Sequence, residues 1–580
     1  MKRLIKYMKA YRKEAVIAPL FKLFEAILEL TVPVIVSLIV DNGIARGGEE
    51  GKRYSLLMCG LLVLLGLAGL AFSLTAQYFS AKAACGFAWD IRSVLFSRIQ
   101  SLSFSQLDRA GTGTLITRMT SDVNQVQTGV NLTLRLLLRS PFVVLGALIG
   151  ALIVGATAPS AVLAFIIVIP VLAIVVMIIL LAGIPLYRKA QGGLDGVTGL
   201  LRSDLEGERV IRAFRLEDRR NAEFDKRNRS LNRFQLLAGR ISGLLNPLTY
   251  VIVNLAVILM LSNGSHAVNE GILTNGKLIA LYNYLTQILV ELIKFANLVI
   301  TITRSLACAD RISAVIGEEP AMPPKSESAD FVEGAPAVIF RNVSFEYPGA
   351  SGKVLESIDL SVKKGEKIGI IGGTGSGKSS LVGLIPRFYD VSEGSVEVGG
   401  RDVREYDPDE LRRHIGYVAQ HATLFRGSIR DNIKWGDPDA TDEEITEALK
   451  EAQIGNIIEE KKGGLSYMIE QGGRNLSGGQ RQRLNVARAL VRRPQILVLD
   501  DSSSALDRAT EASLRRAIRE LDYSPAVFIV SQRVESVSGC DRIVVLDGGR
   551  AVGIGKHDEL YGNCEVYREI CDSQKGGESL

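Results

Sequence analysis

The sequence predicts two unlike parts: an all-α membrane domain of six helices, then a soluble α/β domain built around a phosphate-binding loop. Three observations carry that prediction. Residues 1–310 contain six long apolar runs, whereas residues 336–580 have the composition of an ordinary soluble domain. An apolar strand, a glycine-rich loop and a helical stretch follow one another from residue 368. A segment rich in Pro, Glu, Ser and Ala, residues 317–335, separates the two parts and reads as a flexible linker. At 580 residues the chain exceeds what one compact domain holds.

A helix needs about 20 mainly apolar residues to cross the hydrocarbon core. Runs at 16–40, 55–80, 141–158, 161–186, 243–262 and 278–303 meet that length. The third and fourth form a hairpin through residues 155–160, where Pro159 breaks the helix. Basic residues orient the spans. Segments 1–14, 81–140 and 187–242 carry 6, 7 and 13 Lys or Arg, while 42–54, 155–160 and 263–277 carry 3, none and 1. Positive charge stays on the cytosolic side, so the N-terminus, both long loops and the C-terminal domain are expected there, in a multi-pass protein of the cytoplasmic membrane.

The expected organisation is an interfacial helix at 1–14, a membrane domain at 15–316, the linker at 317–335 and the soluble domain at 336–580. In the first segment Leu4, Tyr7, Met8 and Tyr11 share one helical face among six basic residues, a pattern for a helix lying on the membrane surface. No small-residue cleavage site follows it, so no signal peptide is expected. The net charge of +5 is small and argues against a nucleic-acid binder. The six cysteines are scattered without metal-ligand spacing and read as free thiols.

Few ionisable groups lie within the spans. Lys22, Glu25 and Glu29 share a face of the first, and Glu291 and Lys294 a face of the sixth. They suit either local ion pairs or a polar cavity that meets substrate. The long cytosolic loops suggest helices that continue past the bilayer to touch the soluble domain. Residues 111–126 and 213–224 are the expected contact segments, with Phe214 either an apolar anchor or loop packing.

The loop itself reads Gly372, Gly373, Thr374, Gly375, Ser376, Gly377, Lys378, Ser379, Ser380, after an apolar strand and before a helix. Strand, G-x-x-x-x-G-K-S and helix together form a phosphate cradle. Backbone N–H groups wrap phosphate oxygens, Lys378 bridges the β- and γ-phosphates of ATP, and Ser379 holds Mg²⁺. A second apolar strand, 496–499, delivers Asp500 to complete the Mg²⁺ shell.

Between these lie Leu476, Ser477, Gly478, Gly479 and Gln480, opening a strong helix. This pentapeptide resembles the signature motif of ABC ATPases. The resemblance implies an ABC signature subdomain, in which these residues bind the γ-phosphate of ATP held by a partner. Tyr347 resembles the aromatic residue that stacks on adenine. Gln420 resembles the glutamine that reaches Mg²⁺ and senses the membrane domain. Ser504, Ala505, Leu506 and Asp507 resemble the loop that crosses between two ATP sites. The six spans resemble the exporter class, so the likeness covers nearly the whole chain.

Two positions depart from that pattern. The family places Glu after the strand carboxylate, where it polarises the attacking water; this chain has Asp501. The shorter side chain retracts the carboxylate by roughly 1–1.5 Å, a misplacement that costs on the order of 100-fold in rate. The family also places a switch His where this chain has Gln532. His557 lies past another strand and does not substitute. The combination resembles the degenerate half of heterodimeric bacterial multidrug-type exporters, whose other half supplies Glu and His.

The expected function is therefore ATP-dependent export by alternating access, as one half of a heterodimer whose own site hydrolyses slowly. The resemblance implies ATP and Mg²⁺ as cofactors, and a second half-transporter, membrane lipid and a small amphipathic molecule, drug, lipid or peptide as partners. The absence of a leading peptidase segment disfavours processing-coupled peptide export. A homodimer with two slow sites, a nucleotide-switched module or channel, and an importer remain the alternatives.

Overall fold

The computed structural model describes residues 2–322, 331–332, 334–350, 352–502 and 506–576. The chain forms two compact units. One comprises Met1–Arg98 with Leu115–Glu318; the other comprises Ile99–Thr114 with Glu319–Leu580.

Among the described residues six helices, each wholly or mostly in the first unit, are long and apolar enough to cross a membrane: Leu4–Ile44, Gly48–Ser101, Thr112–Val154, Val162–Glu206, Glu217–Asn269 and Asn275–Gly317. They run from 41 to 54 residues. At 1.5 Å per residue this is roughly 60–80 Å, about twice the hydrocarbon thickness, so each continues well beyond it. All six expected runs fall on these helices, with one correction at the third. That helix ends at Val154 rather than 158, capped by Gly155, and Pro159 opens the next helix instead of breaking one. Proline suits a first helical turn because no N–H is needed there.

Small side chains let the helices approach. A Cβ on Gly150 would lie 2.7 Å from the Tyr284 ring, and one on Gly86 2.3 Å from the Tyr11 ring. Tyr11 thus rests on the second span. Leu4 is buried too, so part of the apolar face expected to meet lipid is spent on protein. At the other end Asp41 accepts from Thr274 Oγ1 at 2.6 Å and from Gly276 N at 2.8 Å, pinning the start of the sixth helix.

Among the described residues the second unit carries two larger sheets and a two-stranded one, Gly427–Ser428 with Met468–Ile469. In one of the larger two, the strands lie in the order Arg550–Gly555, Arg542–Asp547, Lys367–Gly372, Ala526–Val530, Ile496–Asp500, Ile415–Val418. All neighbours are parallel except the first pair. Val530 pairs with both Ile370 and Asp500, and Val418 with Leu499. The C-terminal ends of four strands therefore emerge side by side, which is where α/β sheets place ligands. The other sheet is antiparallel, in the order Leu355–Val362, Val338–Phe345, Glu393–Val398, Arg401–Asp402. The helices Ile429–Lys434, Asp442–Glu451 and Gly478–Leu490 build a separate apolar cluster around Ile445, Leu449 and Leu484.

The described parts of the expected linker are tied down. Gln106 donates to Glu319 O at 2.8 Å and accepts from Ala321 N at 3.1 Å. Phe331 packs against Tyr406 and His414, with ring centroids 5.7 and 4.4 Å away. Residues 323–330 and 333 lie outside the described residues.

Candidate functional site

The phosphate loop leaves the strand Lys367–Gly372 and enters the helix Lys378–Gly383. Its glycines answer two different needs. Gly377 sits at φ +93°, and a Cβ there would lie 2.7 Å from Leu355 and 2.9 Å from the Val354 carbonyl. At Gly372 the backbone is unstrained, but a Cβ would lie 2.1 Å from the Leu546 carbonyl. The buried Lys378 ammonium donates to Gly372 O at 3.0 Å and Gly373 O at 2.6 Å. Burial pushes its pKa down, against the pull of Asp501 and Asp500.

Asp500 ends its strand almost fully buried. Ser379 Oγ donates to its Oδ1 at 2.8 Å, and Tyr417 OH donates to its Oδ2 at 3.1 Å. Burial raises the Asp500 pKa, while the Ser379 and Tyr417 donors oppose the rise. A hydroxyl and a carboxylate in contact are hard oxygen donors of the kind Mg²⁺ takes, so Ser379 and Asp500 fit that ion.

Asp501 takes a positive φ of 45°, which Asp tolerates better than most residues. Its N–H donates to Val530 O at 3.0 Å, so the strand end next door sets this backbone. Its carboxylate accepts from Gln420 Nε2 at 3.3 Å. Burial raises its pKa; the Gln420 bond lowers it and Asp500 raises it further. The two residues that sequence reasoning assigned separately, to Mg²⁺ sensing and to the base position, are thus brought together.

Gln532 is exposed, two residues past its strand. Its backbone is held by Gln574 of the C-terminal helix, which donates to Gln532 O at 2.7 Å and accepts from Val534 N at 2.9 Å. Tyr347 stands beside the loop, its hydroxyl 2.9 Å from Ser380 Oγ and its ring edge-on to Phe345 and Tyr389 at 4.8 and 5.1 Å.

Residues 15–292 match the family model described as the ABC transporter transmembrane region, and residues 355–504 match the model described as ABC transporter. The chain belongs to the ABC transporter family. It is 34% identical to the uncharacterized ABC transporter ATP-binding protein YfiB of Bacillus subtilis, over 100% of this chain and 99% of that one. It is 32% identical to the putative multidrug export ATP-binding/permease protein YgaD of the same organism, covering 98% of each. A bacterial Atm1-family ABC exporter solved with ATP bound has TM-score 0.82 at 25% identity, over 97% of this chain and 98% of that chain.

As in other ABC chains of this build, a transmembrane region and an ATPase domain are fused. In the signature segment Leu476 is buried and Ser477 exposed. Ser477 caps the helix Gly478–Leu490 reciprocally with Gln480: its Oγ accepts from Gln480 N at 3.2 Å, and Gln480 Oε1 accepts from Ser477 N at 3.1 Å. The hydroxyl proton of Ser477 stays available to a ligand at the helix start. Leu506 is buried, and Asp507 caps the helix Arg508–Arg519 through Thr510 N at 3.0 Å. Ser504 and Ala505 lie outside the described residues.

The expected contact segment 111–126 divides between the units: residues 111–114 fall in the ATPase unit together with the short helix Phe104–Ala110 just upstream, and the remainder falls in the membrane unit. Phe104 meets Phe388 with centroids 4.8 Å apart, and Asp108 accepts from Tyr389 OH at 2.7 Å. Burial, with Asp108 beside it, drives the Tyr389 pKa up. A capping box of Ser103 and Gln106 starts this helix, and the S-F-S-Q run was the available signal. Phe214 lies at a turn with its side chain 71% exposed.

Among the membrane charges, Lys22 and Glu25 pair locally at 2.5 Å and Glu291 and Lys294 at 2.8 Å. Glu29 does not join its own helix neighbours. Arg139, counted with a loop in the sequence, bridges Glu29 at 2.5 Å and Glu291 at 2.6 Å, and Ser140 Oγ adds a bond to Glu291 at 2.9 Å. One guanidinium thus joins the first, third and sixth spans.

Proposed function

We propose that this chain is one half of a heterodimeric exporter that moves a small amphipathic molecule, drug, lipid or peptide across the cytoplasmic membrane. Membership of the ABC family supports ATP hydrolysis as the energy source, and the exporter fold supports outward transport by alternating access. The multidrug name of a relative supports a small-molecule substrate class. The distribution of Lys and Arg supports a cytosolic N-terminus and ATPase domain.

In this reading Tyr347 stacks on adenine, the 372–380 loop and Lys378 hold the phosphates, and Ser379, Asp500 and Gln420 hold Mg²⁺. The ion neutralises charge on the transferring phosphate. Ser477 and the backbone of Gly478 and Gly479 complete the partner's site. The observation that carries the asymmetric reading is the 3.3 Å bond between Gln420 and Asp501. The short carboxylate stands at the base position already engaged by an amide, and Gln532 offers no imidazole. Nucleotide binds here and hydrolyses slowly, and the partner supplies the consensus Glu and His.

The test is to purify the tagged chain in detergent from its native membrane and identify what accompanies it in equal amount. A second half-transporter carrying Glu and His at the matching positions is the expected result. A dimer of this chain alone would replace it with a homodimer in which Asp501 is the working base.

A further inference from the structure

Asp500 has two hydrogen-bond donors, and only Ser379 belongs to the phosphate loop. The other, Tyr417, comes from the neighbouring strand Ile415–Val418, where it pairs with Val498. A carboxylate held through one oxygen can still rotate; a donor on the second oxygen fixes its plane. The Tyr417 ring is itself held. It meets Phe388 edge-on, with centroids 5.0 Å apart and planes at 72°. Phe104 packs on Phe388 at 4.8 Å. Arg412 lies 5.7 Å from the Phe388 centroid and is anchored by the carbonyls of Pro386 and Arg387, both at 3.1 Å. Phe104, Phe388, Tyr417 and Asp500 all belong to one compact unit. An unbroken set of three aromatic rings therefore runs from the helix Phe104–Ala110, which lies in the chain between two membrane helices, to the strand carboxylate.

We propose that Tyr417 is a positioning residue for Asp500, and that the seating of Phe104 on Phe388 sets the Tyr417 ring. Docking of the helix Phe104–Ala110 and cation-dependent nucleotide binding then strengthen each other, because a coupling between two events is reciprocal. The proposal rests on reading Asp500 as a cation ligand.

The test uses the full-length transporter in detergent, with binding of a fluorescent ATP analogue followed across a Mg²⁺ titration and again in EDTA. Tyr417→Phe keeps the ring and removes the hydroxyl. It should raise the Mg²⁺ concentration for half-maximal binding by about tenfold, as expected for a lost bond to a charged group, with binding in EDTA unmoved. Phe104→Ala, at a side chain 42% exposed, should shift the Mg²⁺ midpoint in the same direction by a smaller factor. The double variant should match Tyr417→Phe alone, since both act through one hydroxyl. An unmoved midpoint in Tyr417→Phe, weaker binding in EDTA as well, or independent addition of the two effects would each overturn the proposal. Asp500→Asn separates the two readings. If it leaves the Mg²⁺ dependence intact, the cation assignment fails; if it shifts the midpoint and Tyr417→Phe does not, only the positioning role fails.

Discussion

Gln420 donates its side-chain amide to the carboxylate of Asp501 across 3.3 Å. The bond links the end of one strand to the end of its neighbour and holds the Asp501 carboxylate there. Asp501→Glu alone would extend the carboxylate, and Gln532→His would add the missing imidazole. Together they should raise ATP turnover at this chain's own phosphate loop by between about 10- and 100-fold. Phosphate release measured with the partner's Glu removed isolates that site. Unchanged turnover would mean that these two positions do not limit hydrolysis at this site.

Asp501 also predicts a pH dependence. Burial raises its folded pKa above the unfolded value, so its charged form opposes folding at neutral pH. That opposition is present above the folded pKa and vanishes as pH falls below the unfolded value of about 3.9. Asp501→Asn should therefore raise the thermal midpoint of the ATPase domain at pH 7, and the gain should shrink as the pH is lowered. A gain independent of pH would mean that packing, not charge, is responsible.

Ser477 caps its helix and, in the proposed reading, also meets a partner's γ-phosphate; different substitutions separate the two. Ser477→Ala removes the helix cap and should cost about 1 kcal/mol of stability. Ser477→Asp keeps a capping acceptor but places negative charge where a partner's γ-phosphate would sit. It should retain thermal stability and still lose ATP turnover at the partner's site. Thermal melts and ATPase assays of the purified transporter on both variants distinguish the roles.

Arg139 joins three membrane helices through Glu29 and Glu291. Arg139→Met leaves the buried Glu291 with Lys294, itself part-exposed, as its remaining counter-charge, a loss of up to about 3–5 kcal/mol. Removing both acids as well, with Glu29→Gln and Glu291→Gln, should recover a large part of it. Unfolding followed by fluorescence in detergent reads both effects. If Arg139→Met unfolds no earlier than the parent, the bridge contributes nothing to helix association.

The membrane and nucleotide parts were legible because each rests on a local rule. Six apolar runs are long enough to span, and G-x-x-x-x-G-K-S demands its conformation from the glycines and lysine alone. The signature helix was legible for the same reason: Ser477 and Gln480 cap it within four residues. Contacts between elements were not. Arg139 reads as a loop residue because periodicity cannot say which charges on other helices it will face. The seven residues Phe104–Ala110, three of them apolar, carry no span or strand signal, so the sequence does not single this helix out.

The sequence by itself determined which chemical groups are present: the phosphate loop, the signature pentapeptide, and Asp501 and Gln532 at the two positions that depart from the resemblance. Only the tertiary structure decided which of those groups meet. A parallel sheet sets the ends of four strands side by side, so Gln420 reaches Asp501 and Tyr417 reaches Asp500 across 81 and 83 residues of chain. Those meetings follow from strand register and ring packing, and no window of sequence contains both partners.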